Sequence, residues 1–308
     1  MVKKRGSILY LSCAIGAAVL WGFFAFPLRR IQQYSPQQIL YYRVFTSFVI
    51  VWAVNLLFRK KQLLKDYRQI KDADKPTRRK LLWLLLGSGV FITGNWYSFI
   101  YVMNHISLKS AAFAYMICPI ITAAGGFILL KEPVTRLKMA AIGIAVLSVL
   151  ILSTASLHQA LWSVGVALMY ALYLVIQRVL NQFDKLNLLG LQLLISLLLL
   201  LPFYVYDGKA VPNATEFWGV ILIISVVLTI IPLLLSSYAL NGIPSSTLGI
   251  TIYVNPMISF TVAFIWFHEQ VSYQQAAGYL LLMLAVITFN WSIIKTAFGR
   301  KTAETELT

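Results

Sequence analysis

The chain has 308 residues, of which 59% are hydrophobic and 12% charged, with 26 Lys and Arg against 10 Asp and Glu. A soluble domain carries about 25% charged residues and roughly 45–50% apolar ones, so a soluble globular fold is excluded and the surplus apolar mass points to spans of about 20 residues in a bilayer. The formal charge of +16 would suggest nucleic acid in a soluble protein, but in a polytopic one it belongs first to the loops on one side of the membrane.

Ten apolar segments follow in chain order, at 7–28, 39–58, 81–103, 109–130, 136–154, 160–180, 187–206, 217–239, 246–267 and 273–295. Their period and length predict an all-α polytopic membrane protein of ten transmembrane helices. The connectors are short and hold most of the Pro, Gly, Asn and charge. Lys3-Lys4-Arg5 before the first run resembles the start of a signal peptide, but no small-residue cleavage site follows, so 7–28 is expected to remain as a span. Cys13 and Cys118 both lie inside apolar runs and read as small packing residues, with neither a disulfide nor a metal knuckle supported.

Orientation follows from loop parity. One set of loops and termini carries 21 basic residues, ten of them between Arg59 and Lys80; the other carries Arg29, Arg30, Lys109 and Lys209. Both termini are therefore expected in the cytoplasm. Trp52, Trp83 and Trp291 fall near inner span ends and Trp162, Trp218 and Trp266 near outer ones, as in an aromatic belt. Trp21 and Trp96 lie well inside their spans and do not fit the belt.

The chain also repeats itself. At a shift of 137, Asn104-His105-Ile106 meets Asn241-Gly242-Ile243, Pro119 meets Pro256, and Glu132-Pro133-Val134 meets Glu269-Gln270-Val271. Toward the amino end the shift becomes 149: Trp21 meets Tyr170, Arg29 meets Arg178, and Arg43 meets Gln192. The difference of 12 residues falls in the basic 59–80 segment, which the second copy lacks. The expected division is 1–155 and 156–308. Five spans per copy is an odd number, so the copies enter the membrane in opposite directions. Inverted repeats of this kind are a hallmark of secondary transporters.

Ser110 through Tyr115, Pro119 and Leu130-Lys131-Glu132-Pro133 resemble the EamA repeat of the drug/metabolite transporter superfamily. Ser246-Thr247-Leu248-Gly249 through Tyr253, Pro256 and Glu269 resemble, more narrowly, RarD-type members, and Tyr42-Arg43, Asn95-Trp96 and Ile231-Pro232-Leu233 fit the same pattern. The resemblance covers nearly the whole chain. It implies ten helices, a central cavity lined mainly by spans 1, 3, 4, 6, 8 and 9, and alternating access, with substrates ranging over amino acids, metabolites and drugs.

Pro119, Pro232 and Pro256 are candidate helix breaks or hinges. Each removes a backbone donor, and in lipid the carbonyl so freed must find a partner inside the protein. Trp21, Asn95, Trp96, Tyr115, Tyr170, Tyr173, Tyr253 and Asn255 lie at or near mid-depth, where amides and phenols should face the bundle interior. Together they predict an aromatic cavity with a few hydrogen-bonding groups. Arg43 is the basic residue inside a span: either it snorkels outward, or it meets a substrate carboxylate or the freed carbonyls of span four. Glu132 and Glu269 end spans four and nine and are candidates for gating. None of the ten carboxylates reaches mid-membrane, and His105, His158 and His268 are in connectors, so no buried acid stands out as a proton relay.

No metal cluster, phosphate loop or Ser/His/Asp grouping is present, so neither catalysis, a metal, a cofactor nor nucleic acid is expected. The function expected is export of small amphipathic metabolites, amino acids or drugs across the inner cell membrane, with the lipid bilayer and the solute as partners. The alternative is a membrane scaffold or sensor that docks a partner or anionic lipid through residues 59–80.

Overall fold

The computed structural model describes residues 2–130, 135–180, 182–239, 251 and 253–305. Among them no strand occurs. The helices are α1 (Val2–Gly22), α2 (Ala25–Arg30), α3 (Pro36–Phe58), α4 (Lys60–Lys71), α5 (Lys75–His105), α6 (Leu108–Leu130), α7 (Arg136–Ala155), α8 (Leu157–Val179), α9 (Lys185–Asp207), α10 (Thr215–Ser225), α11 (Ile231–Ala239), α12 (Val254–Thr261) and α13 (Tyr273–Thr305). A π-helical turn, Val226–Ile230, joins α10 to α11, and another, Val262–Trp266, extends α12. Six stretches among the described residues are long and apolar enough to cross a bilayer: Leu9–Arg30, Pro36–Phe58, Arg136–Ala155, Leu157–Gln177, Lys185–Tyr206 and Thr215–Ser236. Shorter apolar helices at Leu108–Thr122, Val254–Trp266 and Tyr273–Phe289 accompany them. The protein is a multi-pass helical membrane protein.

The helix starts are written in local chemistry. Ser35, Thr135, Ser156 and Asp184 sit at the N-caps of α3, α7, α8 and α9, where their side-chain oxygens accept from free backbone N–H groups at 3.0–3.3 Å. Asp74 does the same for α5, accepting from Thr77 N at 3.3 Å, and hydrogen bonding from the Thr77 side chain first, then from its backbone, holds the Asp74 carboxyl below its ordinary value. Gly208, in the left-handed region at φ 56°, ends α9 where a side chain would strain the backbone.

Two segments differ from the sequence expectation. The span expected at 7–28 stands as Leu9–Arg30, but its helix is interrupted at Phe23 and Phe24, because Pro27 has no N–H to give the Phe23 carbonyl, which accepts instead from Phe26 N at 3.2 Å. The segment 59–80, expected as a connector, is helical over α4 and the first turns of α5. It is pinned to the start of α9: Arg59 makes a two-pronged ion pair with Asp184 at 3.1 and 2.8 Å, and the buried carboxylate of Asp66 accepts from Asp184 N at 3.1 Å and Asn187 Nδ2 at 2.7 Å. Those bonds give a strongly basic stretch a fixed place, which hydropathy alone does not suggest.

Packing follows a reciprocal pattern. α1 lies against α11 and α12, while α8 lies against α5 and α6; α3 pairs with α9, and α7 with α13. Close approaches are made by small residues. A Cβ on Gly22 would stand 2.7 Å from Ile258 Cβ, one on Gly89 2.6 Å from Ile195 Cγ2, and one on Gly94 2.7 Å from Met169 Sδ. Hydroxyl groups bind the same interfaces: Thr93 and Ser196 share a hydrogen bond at 2.6 Å, Ser163 Oγ donates to Ser110 O at 2.9 Å, and Ser148 Oγ donates to Gly278 O at 2.6 Å. In a lipid environment, where apolar attraction between helices fades, close van der Waals contact and such bonds hold the bundle.

Candidate functional site

Where α1, α3, α5, α6, α8 and α9 meet the π-turn, α11 and α12, the helices leave a cavity. It is lined by Trp21, Phe24, Arg43, Ile92, Asn95, Trp96, Phe99, Tyr115, Tyr170, Tyr173, Leu189, Thr229, Leu233 and Asn255. About 80 Å³ of it is open to the centre of a water molecule. That is room for a few waters. A solute of metabolite size would require the helices to part.

The aromatic wall is a connected series. Phe24 meets Phe99 edge to face at 5.6 Å between ring centroids, Phe99 meets Tyr115 at 5.1 Å, Tyr115 meets Tyr170 at 5.6 Å, and Tyr170 stacks on Tyr173 at 5.8 Å. Such offset and edge-on pairs fix ring orientation, so the cavity has a defined shape. Asn95 Nδ2 donates to Val166 O at 3.0 Å, tying α5 to α8 at cavity depth. Gln177 Nε2 donates to Tyr173 Oη at 2.6 Å. Ser259 Oγ donates to Asn255 Oδ1 at 3.3 Å.

Trp21 has a specific partner. Its indole Nε1 donates to Leu228 O at 3.0 Å. Leu228 is the residue four before Pro232, so Pro232 has no N–H with which to close that helical bond. The tryptophan that fits no aromatic belt therefore satisfies the carbonyl that a proline leaves free in the neighbouring span. The π-turn Val226–Ile230 lies at the same level, and irregular turns of this kind are frequent at functional sites. The α6 helix, by contrast, runs through Pro119 from Leu108 to Leu130, and Pro256 sits in the first turn of α12.

Arg43 does not reach out to the interface. It is 5% exposed, its Nε donates to Thr229 Oγ1 at 3.1 Å, and its guanidinium carbon lies 4.8 Å from the Trp96 ring centroid and 5.1 Å from that of Phe24. Thr229 Oγ1 can accept because its own proton goes to Ile224 O at 2.8 Å.

Of the eight cavity residues expected from the sequence, seven surround this one space; Tyr253 is buried at the start of α12 and is not among the lining residues. Phe24, Ile92, Phe99, Thr229, Leu189 and Leu233 were not singled out in the sequence. Thr229 carried a signal, as a hydroxyl inside a Val/Ile/Leu run; the apolar residues carried none that separates a cavity wall from packing.

Glu269 lies apart from the cavity, in the turn after the second π-segment. Its carboxylate accepts from the first two backbone N–H groups of α6, Leu108 N at 2.9 Å and Lys109 N at 3.3 Å, and from Arg29 Nη2 at 3.4 Å. It caps α6 and joins it to α2 and the α12–α13 turn. Lys109 Nζ closes the same cluster by donating to Gln270 O and to Gln275 Oε1. Glu132 lies outside the described residues.

A helical multi-pass membrane protein enclosing an aromatic cavity with a buried cation at its edge is the architecture these elements define. The EamA-like transporter family model matches residues 8–154 and again 158–291, and the chain belongs to that family. It is similar to an uncharacterized transporter, YojE, of Bacillus subtilis, with 26% identity covering 95% of both chains. It is likewise similar to the protein RarD of Streptomyces exfoliatus (25% identical, 96% of this chain and 91% of that one) and of Escherichia coli (25%, 92% and 94%). A solved crystal structure shares the fold with a TM-score of 0.62 at 15% identity, over 93% of this chain and 98% of the other. The protein is thus an EamA/RarD-type member of the drug/metabolite transporter superfamily, and a membrane transporter. The scaffold alternative is not favoured.

Proposed function

We propose that the protein is a secondary transporter that exports small amphipathic metabolites, amino acids or drugs across the inner cell membrane by alternating access. The observation that carries this reading is the cavity itself: an aromatic space between the helices whose walls come from both halves of the chain. The reciprocal packing supports two inverted five-helix repeats, 1–155 and 156–308, with ten spans, and the 21 basic residues on one set of loops support cytoplasmic termini. α1 touches α11 and α12 just as its counterpart α8 touches α5 and α6, while α3–α9 and α7–α13 pair across the pseudo-axis. The two separate matches of one family model support the same division.

In this reading Trp21, Asn95, Trp96, Tyr115, Tyr170, Tyr173, Tyr253 and Asn255 serve the solute site, and Pro119, Pro232 and Pro256 serve as hinges. Glu269 seals the outer end by holding the start of α6 against Arg29, and Glu132, its match at the shift of 137, is the corresponding gating candidate of the first repeat. Opening outward requires the Glu269 bonds to break. Catalysis has no part in this cycle. The test is flux: purified protein in proteoliposomes, challenged with a panel of amino acids, nucleosides and amphipathic antibiotics. Movement of at least one solute above protein-free vesicles, reduced by Trp96→Ala, is the expected result; no movement across the panel would count against transport.

A further inference from the structure

Among the described residues that line the cavity, two buried side-chain atoms have no hydrogen-bond partner, Asn95 Oδ1 and Arg43 Nη1, and of these Arg43 carries the charge. The side chain is otherwise held by Thr229 at Nε and lies over the rings of Trp96 and Phe24. Among the described residues, the ion pairs Arg29–Glu269 and Arg59–Asp184 lie elsewhere and no carboxylate lines the cavity. A guanidinium out of water is stable when it is paired and its donors are used. Aromatic faces answer part of the charge and none of the N–H donors.

The matching position in the second half makes the contrast. Gln192 is also buried, yet it donates to Ser88 Oγ at 3.1 Å and accepts from Gln177 Nε2 at 3.3 Å, so its amide is used within the protein. One half closes its polar group internally; the other leaves a cationic donor facing the common space.

We propose that Arg43 is an anion-binding residue and that the transported solutes are small organic carboxylates with an aromatic or apolar body. The carboxylate accepts from Nη1, and the body lies along the Phe99–Tyr115–Tyr170 wall. This assignment rests on the transport reading and narrows it. A guanidinium suits the task because it stays charged and presents flat, directional donors. A cationic amine would be repelled by the same group. A neutral amide isostere would gain the wall and lose the charge-assisted bond.

The experiment compares three probes of one shape, 3-phenylpropanoate, 3-phenylpropanamide and 2-phenylethylamine, binding to the full-length protein in detergent by calorimetry. Added salt is left out so that no bulk anion competes for the site, and chloride is added back in a second arm. The wild type should bind the carboxylate at least about tenfold more tightly than the amide, and the amine more weakly still. In Arg43→Gln that preference should fall to within about twofold. A second variant, Thr229→Val, keeps the charge but removes the hydroxyl that orients Nε; it should weaken the carboxylate several-fold and leave the amide within about twofold.

Equal binding of carboxylate and amide by the wild type overturns the assignment. So does an equal loss of all probes in Thr229→Val, which would make Arg43 a structural cation, and so does chloride displacing the carboxylate with no selectivity for an organic body. Uptake of the same probes into proteoliposomes separates the two readings. Arg43-dependent binding without flux would keep the anion site and sink transport; flux of the amine matching that of the carboxylate would keep transport and sink the anion site.

Discussion

Trp21 and Pro232 are coupled by a single carbonyl, and the coupling can be measured. Trp21→Phe keeps an aromatic ring against α11 but removes the donor to Leu228 O, leaving a carbonyl that Pro232 has no N–H to satisfy and that lipid cannot satisfy. An orphaned buried acceptor costs about 1–3 kcal/mol in soluble proteins, and interhelical hydrogen bonds in membranes average about 0.6 with a maximum near 1.7, because the unfolded chain in the membrane also finds partners. We expect Trp21→Phe to cost about 1–2 kcal/mol. Pro232→Ala restores an N–H at the position that normally bonds Leu228 O. In that background Trp21→Phe should cost about 1 kcal/mol less than in the wild type. The assay is reversible unfolding in mixed micelles followed by far-UV circular dichroism, which does not depend on the tryptophan being removed. Penalties equal to within about 0.3 kcal/mol in the two backgrounds would mean that the two residues act independently. The proline-freed carbonyl would then not be what holds the indole.

Three further outcomes test the packing and the end caps by the same assay. Gly89→Ala should destabilise by about 1–3 kcal/mol, because its Cβ would meet Ile195 at 2.6 Å, whereas Gly165→Ala, with nothing within 4 Å, should be neutral or gain up to about 1 kcal/mol. Equal effects would refute the close approach of α5 to α9. Asp184→Ala removes both the Arg59 partner and the α9 cap, so it should cost about 2 kcal/mol against about 1 kcal/mol for Arg59→Ala; equal losses would leave the cap without energetic weight. Glu269→Ala should cost about 1–2 kcal/mol through loss of the α6 cap and the Arg29 pair, and Glu269→Gln, which keeps one acceptor, should recover about half. Identical behaviour of the Ala and Gln variants would show that the carboxylate does not hold the start of α6.

The sequence carried the architecture because the bilayer imposes it. Length and hydropathy place apolar segments, and Ser35, Thr135, Ser156 and Asp184 mark helix starts by the same capping chemistry that operates in water. Trp21 and Trp96 announced themselves by failing to sit at an interface, and paired polar residues at mid-depth had to face inward, since lipid offers them no partner. That is why seven of the eight expected residues come to one space.

What the chain order could not contain was direction and partnership. Arg43 at one hydropathic depth is equally compatible with an outward and an inward rotamer; only the approach of Thr229 from α10–α11 and the rings of Phe24 and Trp96 settles it inward. Leu228 is an ordinary leucine until its carbonyl faces an indole 207 positions away. The 59–80 segment counts as charge in the sequence, and its place beside α9 is set by Arg59 and Asp66, which meet the start of that helix. A basic excess and a scarcity of acids were fixed by composition. That the scarcity leaves a buried guanidinium without a carboxylate was decided by the tertiary structure, because hydrogen bonds and ion pairs depend on separations of about 3 Å that sequence distance does not encode.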